Sequence, residues 1–406
     1  MRTPGVVIIG GGQAAATTAI TLRRLGYGEP ITLLAQESAL PYQRPPLSKG
    51  FITGQTTSVT LFESEVYAAQ GITVRVGVTA TGVDPVLHTV TTSAGDSLSY
   101  AALVFATGSQ NRTLPWARAD LAGVHSLRTR DEAEELGRVL QPSRRIVVVG
   151  GGFVGLEIAS AAAGAGCDVT VVEVAEHLLG RVLSSPLAEV VAARHRARGT
   201  RILTGTRVQA LIGDAHVTAV VTDRGTLAAD AVVIGAGALA RDGLAAKAGL
   251  ATDNGILVDE YLRAPGHEDI YAVGDCARFP DPRTRLGLRL ESVQNACDQG
   301  ANVARAISGS PAPYQDLAWF WSDQGDLKIQ VAGLRLPEDD VRHFADGSGR
   351  HAAYAIRGGN LVAVETLDWP AEHLAARRVL SSAESIPASA IQSSTLSALL
   401  RARRSA

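Results

Sequence analysis

The chain has only three cysteines, Cys167, Cys276 and Cys297, in 406 residues, and no two of them stand in a C-x-x-C pair. That spacing argues against a disulfide framework and against a zinc or iron–sulfur centre held by this chain. It suits small buried apolar residues in a reducing cytoplasm. Aromatics are scarce at 5%, and the net charge is only −2, so nothing in the composition points to nucleic acid. No uninterrupted apolar stretch is long enough to cross a bilayer, so no membrane association is expected. The opening Met1–Gly5 runs straight into an apolar strand and a glycine turn, which is not the pattern of a signal peptide. What remains is a chain that is 46% hydrophobic and long enough for two or three domains.

Glycine-rich turns are plentiful, and two of them carry the same signature. In "VVIIGGGQAA" an apolar strand meets Gly10, Gly12 and Ala15 in the spacing G-x-G-x-x-A, and a helix follows to Gly26. The first glycine permits the tight turn, and the second lets the backbone approach a pyrophosphate. The small third residue lets helix and strand pack closely. The helix N-terminus then presents free N–H groups and about half a positive charge to the phosphates. A second strand, "ITLLAQE", follows, with Glu37 or the preceding Gln36 as the candidate for the ribose hydroxyls.

The second copy is "RIVVVGGGFVGLEIASAAAGAGCDVTVVE", with Gly150, Gly152 and Gly155 in register and Glu173 closing the next strand. This is a complete βαβ dinucleotide unit. Glu173 would accept the 2′- and 3′-hydroxyls of an adenosine ribose. A 2′-phosphate would meet like charge there, at a cost of roughly several kcal/mol, which predicts NADH in preference to NADPH. Two further strands, "ALVFATG" and "AVVIGAG", end in small-residue turns at Gly108 and Gly237 that let the chain pass close to a nucleotide.

A third kind of strand end, "IYAVGDCAR", closes on Gly274–Asp275. With both glycine turns in this order, it resembles the two-dinucleotide flavoenzymes of the glutathione-reductase type. The segments "LPYQRPPLSKG", "RLESVQNACDQG" and "WFWSDQ" narrow the resemblance to the oxygenase-coupled NADH:ferredoxin reductases of the putidaredoxin-reductase type. It covers nearly the whole chain.

The resemblance implies an α/β fold with two Rossmann-like domains and a C-terminal α+β interface domain. The FAD domain would be discontinuous, residues 1–110 and 243–317, with the NADH domain at 111–242 inserted. Residues 318–406 would cover the flavin. It implies that Gly10, Gly12, Ala14 and Ala15 hold the FAD pyrophosphate, with Gln36 or Glu37 at its ribose. Arg44, Lys49, Thr107, Gly108, Arg128, Asp275 and Val293 would line the flavin or its linker, and Gly150, Gly152, Val154, Gly155, Glu173 and Gly237 would hold NADH. Position 36 departs from the family pattern, which places an acid there.

The implied activity passes electrons from NADH to a [2Fe–2S] ferredoxin, one at a time, for a cytochrome P450 or a Rieske oxygenase. NADH gives up a hydride and an iron–sulfur protein takes single electrons, so a flavin must stand between them. Lys49 and Glu157 would form an ion pair at the flavin–nicotinamide contact, and Trp321 would face the acceptor. Trp319 and Phe320 read as core packing. A rubredoxin reductase or an NADH oxidase on the same scaffold is the alternative. The thiol-dependent members are set aside because "PPLSKG" places serine and lysine where they need a reactive cysteine. A binding flavoprotein of the apoptosis-inducing-factor type would be expected to carry a basic nucleic-acid surface, which the sequence does not show. A monomer or weak homodimer is expected from the resemblance.

Overall fold

The apolar run at the start of the chain becomes a strand, Gly5–Ile9, in which every residue is buried, as a strand covered on both faces of a parallel sheet must be. The computed structural model describes residues 4–118, 121–382, 386–391 and 395–405, with side chains to 402. Two units divide the chain.

The first unit gathers Met1–Arg44, Ser58–Gln110 and Ala238–Asp316. Its sheet runs Ile72–Val76, Ile31–Ala35, Gly5–Ile9, Ser97–Phe105, Thr89–Thr92, Ala80–Asp84, and Ile270–Ala272 pairs parallel with Ser97–Phe105. The registers Val6↔Ile31, Val6↔Ala102 and Ile270↔Leu103 bring the ends of four strands level, so their following turns gather on one edge. The helix Gln13–Arg24 packs directly on the helix Val293–Ile307. That approach needs Gly300, where a Cβ would lie 2.9 Å from both the Ala14 carbonyl oxygen and Thr18 Oγ1.

The second unit gathers Pro45–Thr57, Asn111–Gly237 and Leu317–Ala406. It contains a parallel sheet in the order Arg201–Leu203, Asp168–Val172, Arg145–Val149, Ala231–Ile234, Val124–His125. A second, antiparallel sheet runs Trp319–Gln324, Leu327–Gly333, Asn360–Leu367, His351–Arg357, Asp340–Ala345, and the helix Pro370–Ser381 packs on it, its Ala376 sharing a core with Tyr354 and Val364 of the sheet. The helix Ser185–Ala197 is gripped by this second sheet at both ends. At its start the backbone N–H and hydroxyl of Ser184 donate to Glu365 Oε2, at 2.8 and 2.6 Å. Toward its end His195 meets Gln324 at 2.7 Å, and Arg194 pairs with Asp368 at 2.7 Å. Burial pushes the Glu365 carboxyl up, against the pull of Ser184 and Arg335.

Cys276 is buried as the sequence suggests, whereas Cys167 and Cys297 are only half-buried, and all three are free thiols. Among the described residues no helix is long and apolar enough to cross a membrane.

One buried histidine sets a pH response. His373, on the helix Pro370–Ser381, lies 5.7 Å from the Trp319 ring, and neither of its ring nitrogens has a hydrogen-bond partner among the described residues. Burial, with the Arg377 charge adding to it, pushes its imidazole from 6.5 down to about 4. The unfolded chain therefore binds a proton that the folded chain refuses. No proton has to be given up on folding at and above neutral pH, and stability drains away as the pH falls from about 6.5 toward about 4. The full loss from this one group is roughly 3 kcal/mol. His373→Phe is expected to flatten that part of the pH dependence, read from urea unfolding midpoints at neutral pH and near pH 4; equal slopes would remove His373 as the cause.

Candidate functional site

In the first unit the strand Gly5–Ile9 ends on Gly10, whose φ of +145° puts it where side chains are strained. A Cβ there would also sit 2.1 Å from the Ala106 carbonyl oxygen, so only glycine lets the two strand ends run this close. Gly12 caps the helix Gln13–Arg24 without any side-chain cap and with no acid in the first turn. Nothing lies within 4 Å of where its Cβ would be, and Ala14 and Ala15 are buried beneath it. An open, uncapped helix N-terminus floored by small residues suits the charge and width of a pyrophosphate.

Around that turn the candidate residues are already linked. The Gln36 side-chain carbonyl accepts from Arg241 Nη1 at 2.8 Å, and Thr107 Oγ1 donates to the Arg241 backbone oxygen at 2.6 Å. Glu37 pairs with Arg44 at 2.7 Å and accepts the Tyr42 hydroxyl at 2.5 Å. Against the burial that lowers it, Tyr42 and Glu37, with Asp275 behind them, hold the Arg44 guanidinium above its ordinary value. Asp275 accepts the Ser109 hydroxyl at 2.9 Å, in the tight turn Gly274–Cys276 that follows the strand Ile270–Ala272. Gly108 has φ +70°, and Val293 begins the helix Val293–Ile307 under a Ser292 cap. Tyr42 and Arg241 were not anticipated from sequence, although Tyr42 lies inside the "LPYQRPPLSKG" segment.

The second unit repeats the turn. Gly150 has φ +112°, and Gly152 caps the helix Phe153–Gly164, again with open space where a Cβ would be and no side-chain cap. A Cβ on Gly155 would lie 2.1 Å from the Gly150 carbonyl oxygen, the tightest approach in the motif. Glu173, just past the strand Asp168–Val172, reaches back to the turn: its Oε2 accepts the Gly151 N–H at 2.6 Å, and its Oε1 accepts Ala175 N–H at 2.8 Å. The carboxylate is thus fixed beside the glycines with lone pairs to spare for hydroxyl donors. Val154 is exposed on the helix's first turn, and Gly237, at φ +91°, has Arg181 Nη2 3.8 Å from its Cβ position. Arg128 precedes the Thr129 cap of the helix Arg130–Val139, and its backbone N–H donates to Glu132 at 2.7 Å.

The same unit holds the ion pair. Lys49 Nζ lies 2.7 Å from Glu157 Oε2 and also donates to the Pro45 carbonyl at 3.0 Å. Glu157 is only 6% exposed, on the helix that opens at Gly152. It also accepts hydroxyls from Ser48 and, at 2.5 Å, from Ser322. Three donors on one carboxylate offset the cost of burying its charge. Both serines stand in segments singled out from sequence, but they are 109 and 165 residues from Glu157, so their meeting is visible only in the fold. Trp321 is 37% exposed with its ring 5.7 Å from Trp319, which packs on the C-terminal core under the Arg377 guanidinium. Phe320 is half-buried, edge-on to Phe153 at 4.9 Å.

None of these residues is a thiol. Burial pushes the thiols of Cys167, Cys276 and Cys297 all upward, opposite to what a reactive thiolate needs.

Known proteins resemble this chain over nearly its whole length. The pyridine nucleotide-disulphide oxidoreductase profile matches residues 4–300, and a reductase C-terminal profile matches residues 319–399. Rhodocoxin reductase of Rhodococcus erythropolis is 40% identical over 382 residues, covering 93% of this chain and 89% of that protein. The crystal structure of the ferredoxin reductase for the CYP199A2 system from Rhodopseudomonas palustris superposes with a TM-score of 0.91 at 36% identity, covering 95% of this chain and 96% of that one. The reductase in the covalent putidaredoxin reductase–putidaredoxin complex superposes with a TM-score of 0.94 at 32% identity over 100% of both chains.

Proposed function

The chain belongs to the pyridine nucleotide-disulphide oxidoreductase family, and from that premise we propose that it is an FAD-dependent NADH:ferredoxin oxidoreductase serving a cytochrome P450 or a Rieske oxygenase. The observation that carries the reading is the combination of two uncapped, glycine-opened helices with a lysine–glutamate pair whose carboxylate is buried. The three thiols are all pushed upward by burial, which sets thiolate chemistry aside. When bound, FAD would take a hydride from NADH and release the electrons singly to a [2Fe–2S] protein.

The chain's own residues supply binding, orientation and charge. The turn Gly10–Gly12, with Ala14 and Ala15 beneath it, holds the FAD pyrophosphate, and Asp275 and Arg44 hold the linker to the flavin. Gly150, Gly152 and Gly155 hold the pyrophosphate of NADH. Lys49, kept in place by Glu157, steadies negative charge that develops on the reduced ring system. Trp321 is the residue we assign to the acceptor side. We place the protein in the cytoplasm, where its three free thiols stay reduced.

Glu173 sets the choice of nicotinamide cofactor. Glu173→Ala is expected to raise the KM for NADH about tenfold, through lost hydroxyl contacts, and to narrow the preference over NADPH by about tenfold, through lost charge repulsion. Initial rates with both cofactors read the two effects, and an unchanged NADH to NADPH ratio would take Glu173 out of the discrimination.

The test of the function is acceptor dependence. NADH-dependent ferricyanide reduction reports only a working flavin. Cytochrome c reduction that appears only when a [2Fe–2S] ferredoxin is added supports the reading. A chain whose flavin is reduced by NADH, yet which passes electrons to rubredoxin and to no ferredoxin, would overturn it in favour of a rubredoxin reductase.

A further inference from the structure

Glu157 is one end of a longer polar chain that lies wholly within the second unit. Its Oε1 accepts the Ser322 hydroxyl at 2.5 Å, and Ser322 Oγ lies 3.3 Å from the Gln324 amide nitrogen. The Gln324 Oε1 is 2.7 Å from His195 Nε2. Ser322, Gln324 and His195 are each no more than 1% exposed, so water does not compete for these bonds.

Counting donors fixes the direction of the chain. A carboxylate only accepts, and a hydroxyl has one proton, so Ser322 gives its proton to Glu157 and must itself accept. The Gln324 amide N–H is the donor it accepts from. That leaves the Gln324 carbonyl facing His195, which must present Nε2–H. Every hydrogen bond then points toward the Glu157 carboxylate. With the imidazole proton on Nδ1 instead, the amide would turn over, the Ser322 hydroxyl would point to Gln324, and Glu157 would lose a donor.

The surroundings keep the ring neutral. Burial pushes the His195 imidazole down, Gln324 opposes this, and Arg198 reinforces it. Charged groups around the chain include Lys49 at Glu157, Arg198, which pairs with Asp326 and whose Nη1 donates to the Gln324 backbone carbonyl at 2.8 Å, and Arg194 in its pair with Asp368. A neutral amide in the middle orients its neighbours and does not relay a proton.

We infer that His195 is a positioning residue for the electron-transfer site: through Gln324 and Ser322 it fixes the Glu157 carboxylate against Lys49. This rests on the assignment of Lys49 and Glu157 to the contact between flavin and nicotinamide. His195 touches neither of them and acts only through the amide and the hydroxyl.

Two measurements on the full-length, FAD-loaded protein test it. Nitrogen-15 spectra of histidine-labelled protein, with the His195 signals identified by their loss in His195→Phe, should show a neutral ring protonated on Nε2 at neutral pH. A ring protonated on Nδ1 overturns the inference. In stopped-flow, His195→Phe should lower the limiting rate of flavin reduction by NADH about tenfold and leave the Kd for NADH unchanged, and Ser322→Ala should do the same. The double variant should be no slower than the slower single one, because both act along one chain. An unchanged limiting rate, or losses that multiply in the double variant, would overturn it. If His195→Phe does not fold, Gln324→Glu has nearly the same shape and draws the Ser322 hydroxyl away from Glu157; it should show the same loss, and a normal rate there overturns the inference too. A wild-type flavin that NADH does not reduce would sink the functional reading, and the ring tautomer would still decide the direction of the chain.

Discussion

Lys49→Ala is expected to slow the reduction of bound flavin by NADH about a hundredfold while leaving FAD in place. The size follows from removing one preorganised charge from a site where charge develops, which typically costs 10²–10³-fold, or about 3–4 kcal/mol. The lysine is held for this by Glu157 at 2.7 Å and by the Pro45 carbonyl at 3.0 Å, so it needs little reorganisation. The structural cost is smaller. Glu157 would keep its two serine hydroxyls, and Lys49 already has partial access to water, so the loss of stability is about 2 kcal/mol, below that of a fully enclosed pair. FAD stays because its pyrophosphate turn at Gly10–Gly12 involves neither partner. Stopped-flow absorbance of the flavin band measures the rate, and visible absorbance of the purified variant measures occupancy. A normal rate would remove Lys49 from the mechanism.

Gly155→Val is expected to raise the KM for NADH about a hundredfold or more with the flavin still bound, because the change removes the surface on which the dinucleotide lies. The first atom of the new side chain would sit 2.1 Å from the Gly150 carbonyl oxygen and 3.3 Å from Val148 Cγ1. No rotamer relieves a clash at Cβ, so the helix Phe153–Gly164 must back away from the strand Arg145–Val149 and carry Gly152 with it. Gly155→Ala makes the same contact with less bulk beyond it and should show a smaller effect in the same direction. Steady-state kinetics against NADH, with flavin content measured alongside, reads the result. Wild-type KM values in both variants would mean that this turn does not hold the nicotinamide cofactor.

The glycine turns were legible in the sequence because their requirement is local. A left-handed φ at Gly10 or Gly150 and a close helix–strand approach at Gly155 each leave a fixed residue at a fixed spacing. Glu173 was legible for the same reason, one βαβ unit after its turn. The first turn shows the limit of such reasoning. Gln36 and Glu37 stood as alternatives for one ribose contact, and the fold gives each a protein partner, Arg241 for one and Arg44 with Tyr42 for the other. The surroundings of Glu157 were not legible beyond Lys49. Ser322 arrives from 165 residues away, and His195 meets Gln324 across 129, so no window of sequence contains either pair. His195 in particular reads as a polar position in a basic helix, "AARHRARG", and only packing shows that it is sealed from water.

The helix Ser185–Ala197 carries a lesson for dissecting the chain. Its two ends are moored to Glu365 and Gln324, both of which lie beyond residue 317. A fragment cut there would strip the mooring from a buried imidazole and from the helix cap, and would bare the apolar side of the nucleotide-binding half. The C-terminal sheet is therefore no detachable cover. Chimaeras that trade it between relatives must trade this helix as well.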